Sequence, residues 1–404
     1  MPGKHSADPA ASEVDAHGHH HGPPPPIEIG KPARVALVAF LIVVALAVAA
    51  GAAVLLATKS GTHPSSPYAA PGVTFPKATV TAIGGECPGG GCRVVTVRIS
   101  NGVDRGRTES VQVPSYVVDG GLRAGDHIGL QRNPAVAGAP AGYSWWDNID
   151  RSNAMWLLVA LFVIAVLVVA RLRGFFAIVG LCLAAVVVLK FMLPALLGGQ
   201  NGMAVALVGS AAIMYVVLYL AHGWSLRTST ALAGTLVGTG IVAVLGWYAS
   251  DLARLSGAAD DNAIALNSLV HIDLRGVAIC GLILVSLGLL NDVTVTQASA
   301  IWELRAAAPD AGRGELFARG MRIGRDHIAS TIYTIVFAYT GTALMLLLLA
   351  AVYSRPYGQL LSTDAVAEDV VRTLAAAIGL VLAVPVTTAI AVAVVGGREE
   401  TVRR

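Results

Sequence analysis

The stretch ICGLILVSLGLLNDVTVTQASAIWELR, residues 279–305, joins a long apolar run to a polar tail that begins with Asn291 and Asp292. A helix that crosses the hydrocarbon core of a bilayer takes about 20 residues. Counted from Arg275, Asp292 lies on the order of 25 Å along such a helix, in its inner half. A carboxylate at this depth is costly, and such residues are usually functional. The stretch therefore predicts a membrane-spanning helix with a candidate functional aspartate.

The composition of the chain is that of an integral membrane protein. Of its 404 residues, 55% are hydrophobic and 13% are charged, and the net charge of +3 gives no indication of a nucleic-acid partner. We predict an all-α polytopic membrane bundle of about eight transmembrane helices, with a small extracytoplasmic β-barrel-like domain after the first helix. The apolar stretches long enough to span the bilayer are 34–57, 154–170, 174–193, 202–221, 226–248, 275–298, 328–352 and 373–396.

The positions of lysine and arginine predict the orientation of the chain. Lys31 and Arg34 precede the first apolar stretch, and five arginines lie in the segment 305–325 after the sixth stretch. These positions fall on one side of the membrane if there are about eight spans, and short loops rich in Lys and Arg are usually cytoplasmic. The abundance of Ala, Val, Gly and Arg is typical of a GC-rich bacterial genome. We therefore predict a multi-pass protein of the bacterial plasma membrane with both termini in the cytoplasm.

Both ends of the chain are predicted to be cytoplasmic tails. Residues 1–33 include HGHHHGPPPP at 17–26, and a segment so rich in His and Pro cannot bury a core, so we expect it to be disordered. Histidine clusters can bind metal ions, but no Cys or carboxylate is spaced to complete a site, so no metal is predicted. The helix bundle, 154–398, is followed by a short second tail at 399–404.

The segment 58–153, after the first transmembrane helix at 34–57, predicts a small β domain. Its β-branched runs ATVTAI (78–83), RVVTVRI (93–99) and ESVQVPSYVV (109–118) alternate with glycine-rich turns. A small β-barrel of the OB or a similar type fits this pattern. No stacking surface of charged and aromatic residues stands out, so the pattern favours a docking or spacer role, with an envelope protein as the partner, over ligand binding.

Two cysteines in this segment, Cys87 and Cys92, flank the sequence PGGG. The spacing favours a disulfide that closes a short hairpin over a zinc site, because no second pair of Cys or His residues lies nearby. Disulfides persist outside the cytosol, so this prediction agrees with the orientation given by the charges.

One face of the helix that carries Asp292 is polar. Thr296, Ser299 and Glu303 follow Asp292 by four, seven and eleven residues, which places all four on one side of an α-helix. Two glycines continue this face outward. A face of small and polar residues should point to the bundle interior or to a water-filled pocket rather than to lipid. The polar residues are Asp292, Thr296, Ser299 and Glu303, and the glycines are Gly288 and Gly281.

The next apolar helix offers uncharged partners for the carboxylate. Thr331 and Thr334 lie in its first turns, at the same predicted depth as Asp292, and Asn291 is a third uncharged donor. We predict that Asp292 is within hydrogen-bond distance of Thr331 or Thr334 and that no arginine, Arg325 included, pairs with it. Two interpretations remain open: Asp292 is a packing residue near the interface, or it binds and releases a proton or cation.

Motifs of soluble enzymes are absent from the sequence. There is no P-loop, no G-x-G-x-x-G after a strand, no H-E-x-x-H and no G-x-S-x-G, so we predict neither an enzyme nor a cofactor. The stretch GMRIGRD at 320–326 precedes a membrane helix and has no strand before it. We interpret it, with Arg325 and Asp326, as a basic cytoplasmic elbow.

Two segments of the chain resemble the YibE/F-like family of bacterial membrane proteins. The first follows that family's D-x-x-x-x-x-x-S-A-hydrophobic-x-E-L pattern, and the second follows its G-M-x-I-G-R-D pattern. The resemblance implies an integral membrane protein and no particular activity. The matching positions are Asp292, Ser299, Ala300, Glu303 and Leu304 in the first segment, and Gly320, Met321, Ile323, Gly324, Arg325 and Asp326 in the second.

The stretch LGLLNDVTVTQASAIWELR, 287–305, is also similar to a helix of the protein-export factor SecF and of RND transporters, in which an aspartate after small residues carries protons. The following helix in that group is rich in threonine, as ASTIYTI (329–335) is here. The likeness implies proton coupling at Asp292 and implies no particular substrate. This chain departs from the group in its smaller ectodomain and in the additional helices before the aspartate.

Two functions therefore remain as hypotheses. The first is a proton- or cation-coupled transporter or export-assisting factor that works through Asp292. The second is a non-transporting envelope scaffold whose ectodomain docks a partner protein.

Overall fold

The computed structural model describes residues 31–57, 69–135, 141–353 and 356–396. The tails predicted at 1–33 and 399–404 lie outside this part of the chain, except for the first turn of α1. The helices are α1 (Lys31–Ala57), α2 (Ser115–Asp119), α3 (Ser152–Val187), α4 (Leu193–Leu197), α5 (Gly202–His222), α6 (Leu226–Leu252), α7 (Asp261–Leu269), α8 (Leu274–Ala307), α9 (Arg313–Val352), α10 (Tyr357–Leu361) and α11 (Asp364–Val395). The strands are β1 (Lys77–Glu86), β2 (Cys92–Ile99), β3 (Thr108–Pro114), β4 (His127–Asn133) and β5 (Gly142–Ile149).

Seven helices in the described residues are long and apolar enough to cross a membrane. They are α1, the segment Ser152–Leu197, α5, α6, α8, α9 and α11. The helix Ser152–Leu197 is 46 residues long because a single turn of π-helix joins α3 to α4. It contains both of the predicted stretches 154–170 and 174–193, so seven such helices cover the eight predicted stretches.

This long helix is interrupted at Arg171, whose φ of 51° and ψ of −129° are not helical. An ideal Cβ on Gly174 would lie 2.6 Å from the carbonyl oxygen of Val166. Residues eight apart on a straight helix are separated by about 12 Å, so the chain turns back on itself at Arg171. The two halves on either side of the turn correspond to the two predicted stretches.

The centre of the bundle is formed by α6, α8 and α11, with α5 and α9 packed outside them. Small residues allow these helices to approach closely, as is common in membrane bundles. Gly234 of α6 packs against Thr387 of α11, and Gly379 of α11 packs against Val242 of α6. Helix α1 lies against α5 and α6, where the Tyr215 hydroxyl donates to the Leu41 carbonyl at 2.6 Å.

The ectodomain is a five-stranded antiparallel sheet with the order β3-β2-β1-β4-β5. The sheet is open, so the closed barrel that the sequence suggests is not formed. Closure would require pairing of the two edge strands, β3 and β5, and residues of both edges instead line a cleft of about 560 Å³. Val97 and Leu130 are among the side chains buried in the domain core.

Two details of the domain differ from the strand prediction, and the predicted disulfide agrees with the structure. The third predicted strand ends at Pro114, where α2 begins, because proline lacks the N–H that would continue the ladder. Strands β4 and β5 were not predicted from the sequence. Cys87 and Cys92 do form a disulfide, which closes the β1–β2 hairpin around three glycines with positive φ, Gly89, Gly90 and Gly91.

The segment GMRIGRD is not an elbow. It lies inside α9, which runs without interruption from Arg313 to Val352, and both Arg325 and Asp326 are exposed on its surface. An ideal Cβ on Gly324 would lie 2.6 Å from Val384 Cγ1 of α11. Close helix packing at this glycine therefore outweighs its low intrinsic helix propensity.

Candidate functional site

Asp292 lies on the surface of α8, beside the start of the apolar part of α9. Its side chain is 70% exposed, and its carboxylate oxygen Oδ2 is 3.9 Å from Nε2 of His327. His327 immediately precedes the apolar stretch 328–352, and Asp292 follows the end of the apolar run of α8 by two residues. The carboxylate and the imidazole therefore meet at one boundary of the apolar part of the bundle.

The predicted hydrogen bond between Asp292 and a threonine of α9 is wrong. The hydroxyl of Thr331 donates to the carbonyl of His327 at 2.9 Å, and that of Thr334 donates to the carbonyl of Ser330 at 3.2 Å. Threonine in a helix often bonds to the carbonyl one turn back, which satisfies the hydroxyl locally. Within the described residues the ion-pair contact of Asp292 is with His327 and not with an arginine.

The polar face of α8 points outward, so the prediction that it faces the bundle interior is also wrong. Asp292, Thr296 and Glu303 are exposed and Ser299 is half-buried. An ideal Cβ on Gly288 would have no described heavy atom within 4 Å, and the same holds for Gly281. The opposite face of α8 is buried against α6 and α11 and consists of Leu290, Val293, Thr294, Gln297, Ala298 and Ile301.

Two buried polar atoms flank Asp292 without a hydrogen-bond partner among the described residues. They are Nε2 of His327 and Oδ1 of Asn291. The Thr296 hydroxyl donates to the backbone carbonyl of Asp292 at 2.8 Å and not to the Asp292 carboxylate. Histidine changes charge near neutral pH. The Asp292 carboxylate and this imidazole therefore form an ion pair only when the imidazole carries a proton.

A buried polar network that the sequence analysis missed lies on the inner face of α8. Gln297 is 3% exposed, and its amide nitrogen donates to the Gly320 carbonyl at 3.0 Å and to Thr388 Oγ1 at 2.7 Å. One turn earlier, the hydroxyls of Thr294 and Thr235 are 2.6 Å apart. The available signal was the spacing of Gln297 three residues after Thr294 on one side of the helix.

Arg305 is a second residue that the sequence analysis missed. It is 6% exposed, and its guanidinium donates to the carbonyls of Pro309 and Ala311, each at 2.9 Å, and to that of Gly396. An arginine is well suited to the unpaired carbonyls at a helix C-terminus. Arg305 thereby fastens the end of α11 to the loop between α8 and α9.

Outside the membrane-spanning helices, Asp104 lies at the centre of a hydrogen-bonded group in the ectodomain. Its carboxylate accepts hydrogen bonds from the Tyr143 hydroxyl and from Arg132 Nε, the latter at 3.0 Å. These two donors, Tyr143 first, hold the pKa of Asp104 below its ordinary value, and burial raises the pKa of Tyr143. With all its charges paired, this cluster serves to hold β5 against the turn after β2.

No group of three or more His, Cys, Asp or Glu side chains in the described part of the chain is arranged to hold a metal ion. No curated protein and no solved structure matches the chain. A family model described as YibE/F-like protein matches residues 158–397, which is more than half of the 404 residues and includes α8, α9 and α11. The chain therefore belongs to the YibE/F-like family of proteins, and its apolar helices make it an integral membrane protein.

Proposed function

We propose that the protein couples the movement of protons, or of a small cation, to conformational change in the membrane through the Asp292–His327 pair. The observation that carries this proposal is the 3.9 Å approach of the Asp292 carboxylate to a buried imidazole nitrogen without a hydrogen-bond partner in the described residues. The similarity of 287–305 to helices of SecF and RND transporters supports the same role. The protein is then a transporter or an export-assisting factor rather than an enzyme.

Protonation changes the attraction between α8 and α9 in this proposal. A carboxylate beside a neutral imidazole carries one negative charge, and addition of one proton makes the pair neutral in total. When that proton is on His327, the two side chains form an ion pair across the helix contact, which is stronger in surroundings of low dielectric constant. Loss of the proton removes this attraction. Proton binding thereby acts on the packing of α9 against α8.

The geometry gives the two residues different access to solvent. Asp292 is 70% exposed on the outer face of α8, whereas His327 Nε2 is enclosed. The carboxylate is thus the group that exchanges protons with the surroundings, and the imidazole holds the proton inside the helix contact. Both residues lie at the same boundary of the apolar part of the bundle, where water reaches an exposed side chain.

The topology completes the proposal. The chain crosses the bacterial plasma membrane eight times, with the segments on either side of Arg171 as separate crossings and with both termini in the cytoplasm. A cysteine introduced at Gly199, between α4 and α5, should then react with a membrane-impermeant maleimide added from outside. Labelling only from the cytoplasmic side would contradict this orientation.

The test of function is proton flux in proteoliposomes that hold the full-length protein and a pH-sensitive dye. Asp292→Asn should lower the flux at least 10-fold without loss of folding, and Asp292→Glu should keep part of it. His327→Asn should lower the flux similarly. Asp326→Asn is the matched control, since Asp326 is an exposed carboxylate of α9 next to His327. Wild-type flux in Asp292→Asn would exclude the proposal.

A scaffold that docks an envelope protein is the second candidate function. It is favoured by the cleft of about 560 Å³ between the edges of the ectodomain, which is lined by Gln112 and Ser144 among others. Strand edges offer unpaired backbone groups to an extended segment of a partner. Under this alternative Asp292→Asn is tolerated in the cell, whereas loss of residues 73–135 is not.

A further inference from the structure

The end of the bundle opposite Asp292 carries an ion-paired group on the first turns of α11. Arg372 donates to Glu368 Oε1 at 2.5 Å and to Asp369 Oδ1 at 3.4 Å. The side chain of Glu368 is 12% exposed, against 27% for Arg372 and 38% for Asp369. Glu368 is therefore the most enclosed member, although it lies before the apolar stretch 373–396.

Two oxygen atoms in this group are buried and have no hydrogen-bond partner among the described residues. They are Oε2 of Glu368 and the hydroxyl of Tyr339 on α9. Arg372 and Asp369 are the charges that act on the Tyr339 hydroxyl. The charges that act on Glu368 are Arg372, Asp369 and Asp260, which lies in the turn before α7. Helices α9 and α11 thus enclose an unpaired carboxylate oxygen and an unpaired phenol hydroxyl in one charged environment.

The same face of α9 links this group to the Asp292–His327 pair. His327, Thr331, Ile335 and Tyr339 follow one another at intervals of four residues, so that successive members of this row are neighbours on the helix surface. Thr331 and Ile335 are buried between them. The rise from His327 to Tyr339 is about 18 Å. This row of residues on α9 therefore carries, at each of its ends, a buried polar atom without a hydrogen-bond partner among the described residues.

We propose that Glu368 is a second proton-binding residue, which exchanges protons with the Asp292–His327 pair along this face of α9, with the Tyr339 hydroxyl as the intermediate donor and acceptor. The inference rests on the proposed function and extends it to the other side of the membrane. The step forms one O–H bond on Glu368 as a hydronium ion loses a proton and becomes water, or as Tyr339 gives its hydroxyl proton to Glu368 and takes another from a hydronium ion.

The Arg372 pair makes this protonation tolerable inside the bundle. With Glu368 ionised, two carboxylates and one guanidinium carry a net charge of −1. With Glu368 protonated, Arg372 keeps Asp369 as its partner and the group is neutral. Breaking a buried ion pair usually destabilises a protein because one charge is left without a counter-charge. In both protonation states of this group the Arg372 cation keeps a counter-charge.

The experiment measures proton flux by the full-length protein in proteoliposomes for Glu368→Gln, Asp292→Asn and Asp261→Asn. We expect Glu368→Gln to lower the flux at least 10-fold. Asp261→Asn should stay within 2-fold of the wild type, because Asp261 is an exposed carboxylate in the first turn of α7, near Asp260 but outside the ion-paired group. Tyr339→Phe, which removes only the hydroxyl, should lower the flux about 3-fold or more.

Failure of this inference is distinguishable from failure of the proposed function. If Asp292→Asn abolishes the flux while Glu368→Gln stays within 2-fold of the wild type, the proposed function stands and the second site is excluded. Infrared difference spectra on acidification test Glu368 independently of flux. A protonated-carboxyl band that is present in the wild type and absent from Glu368→Gln supports the site, and its persistence in that variant overturns it. Should Glu368→Gln fail to fold, Glu368→Asp replaces it, with a shifted band expected and an unshifted one overturning the site.

Discussion

The two faces of α8 differ in how their polar groups are satisfied. On the inner face, Gln297 donates two hydrogen bonds and is 3% exposed. On the outer face, Asp292 is 70% exposed and has only the 3.9 Å contact with His327 among the described residues. A satisfied polar side chain in a helix contact stabilises one arrangement, whereas a carboxylate without fixed donors can change its protonation state. The inner face therefore stabilises the bundle, whereas the outer face carries the carboxylate to which our proposal gives a role in proton coupling.

The largest loss of stability is expected where α9 packs against the inner face of α8. An added Cβ at Gly320 would collide with Ile301 Cδ1 of α8. Gly320→Leu should therefore separate the two helices and destabilise the bundle by about 3 kcal/mol, the upper range for overpacking. Thermal unfolding in detergent measures this loss. Gly314→Leu is the control, because an ideal Cβ there has no described atom within 4 Å, and equal losses in both variants would contradict the crossing.

Removal of the inner-face amide should have a smaller effect. Gln297→Leu keeps the volume of the side chain but leaves the Gly320 carbonyl and the Thr388 hydroxyl without their shared donor. A buried polar group without a partner costs about 1–3 kcal/mol, so the unfolding temperature should fall by several degrees. The proton flux of the folded fraction should remain unchanged. A variant as stable as the wild type would remove the distinction between the two faces.

The outer face should tolerate removal of a hydroxyl. Ser299 lies on the same face as Asp292, and its hydroxyl forms no hydrogen bond with another described side chain of the bundle core. Surface substitutions away from special features usually change stability by less than about 0.5 kcal/mol. Unfolding temperature and expression of Ser299→Ala should match the wild type. A large loss of stability would indicate that this face is packed against another chain in the membrane.

The smallest effect on stability is expected for Asp150, a hydrogen-bonded carboxylate outside the membrane-spanning helices. Asp150 accepts hydrogen bonds from Ser152, both backbone and side chain, and from Lys77 Nζ at 3.1 Å, and these lower its pKa to about 2. A lowered pKa stabilises the folded state above the unfolded value and loses this contribution as the pH falls toward 2. Asp150→Asn should thus reduce the loss of folding stability at acidic pH only slightly, because Asp150 is exposed. An equal slope for wild type and variant below pH 4 would show that these bonds contribute nothing.

The sequence predicts some parts of the molecule better than others. Apolar stretches of spanning length and the Cys87–Cys92 spacing are local signals, and the helices and the disulfide follow from them. The orientation of α8 is not a local property, because lipid chains are as apolar as a helix contact and polar residues occur on both of its sides. The pairing of Asp292 with His327 depends on how α8 and α9 pack, which the spacing of residues within one helix does not contain.

Other differences have the same origin. The glycines of GMRIGRD suggest a bend when taken alone, yet Gly320 and Gly324 are the positions where α9 approaches α8 and α11. The turn at Arg171 joins two helices without a loop, so no run of turn residues marks it. Strand β5, which includes Tyr143, lies so close to the next helix that its aromatic residues do not identify it as part of a sheet.

The length of α9 gives its crossing point a mechanical consequence. From Gly324 the helix continues 28 residues to Val352, and most side chains beyond Tyr339 are exposed. That arm is about 42 Å long, so a tilt of roughly 5° about the glycine crossing displaces its far end by about 4 Å. Arg305 holds the loop at the near end fixed to α11. In such a tilt, His327 lies close to the crossing and moves by less than an ångström. The far end of α9 moves several times as far, because it lies much farther from the crossing.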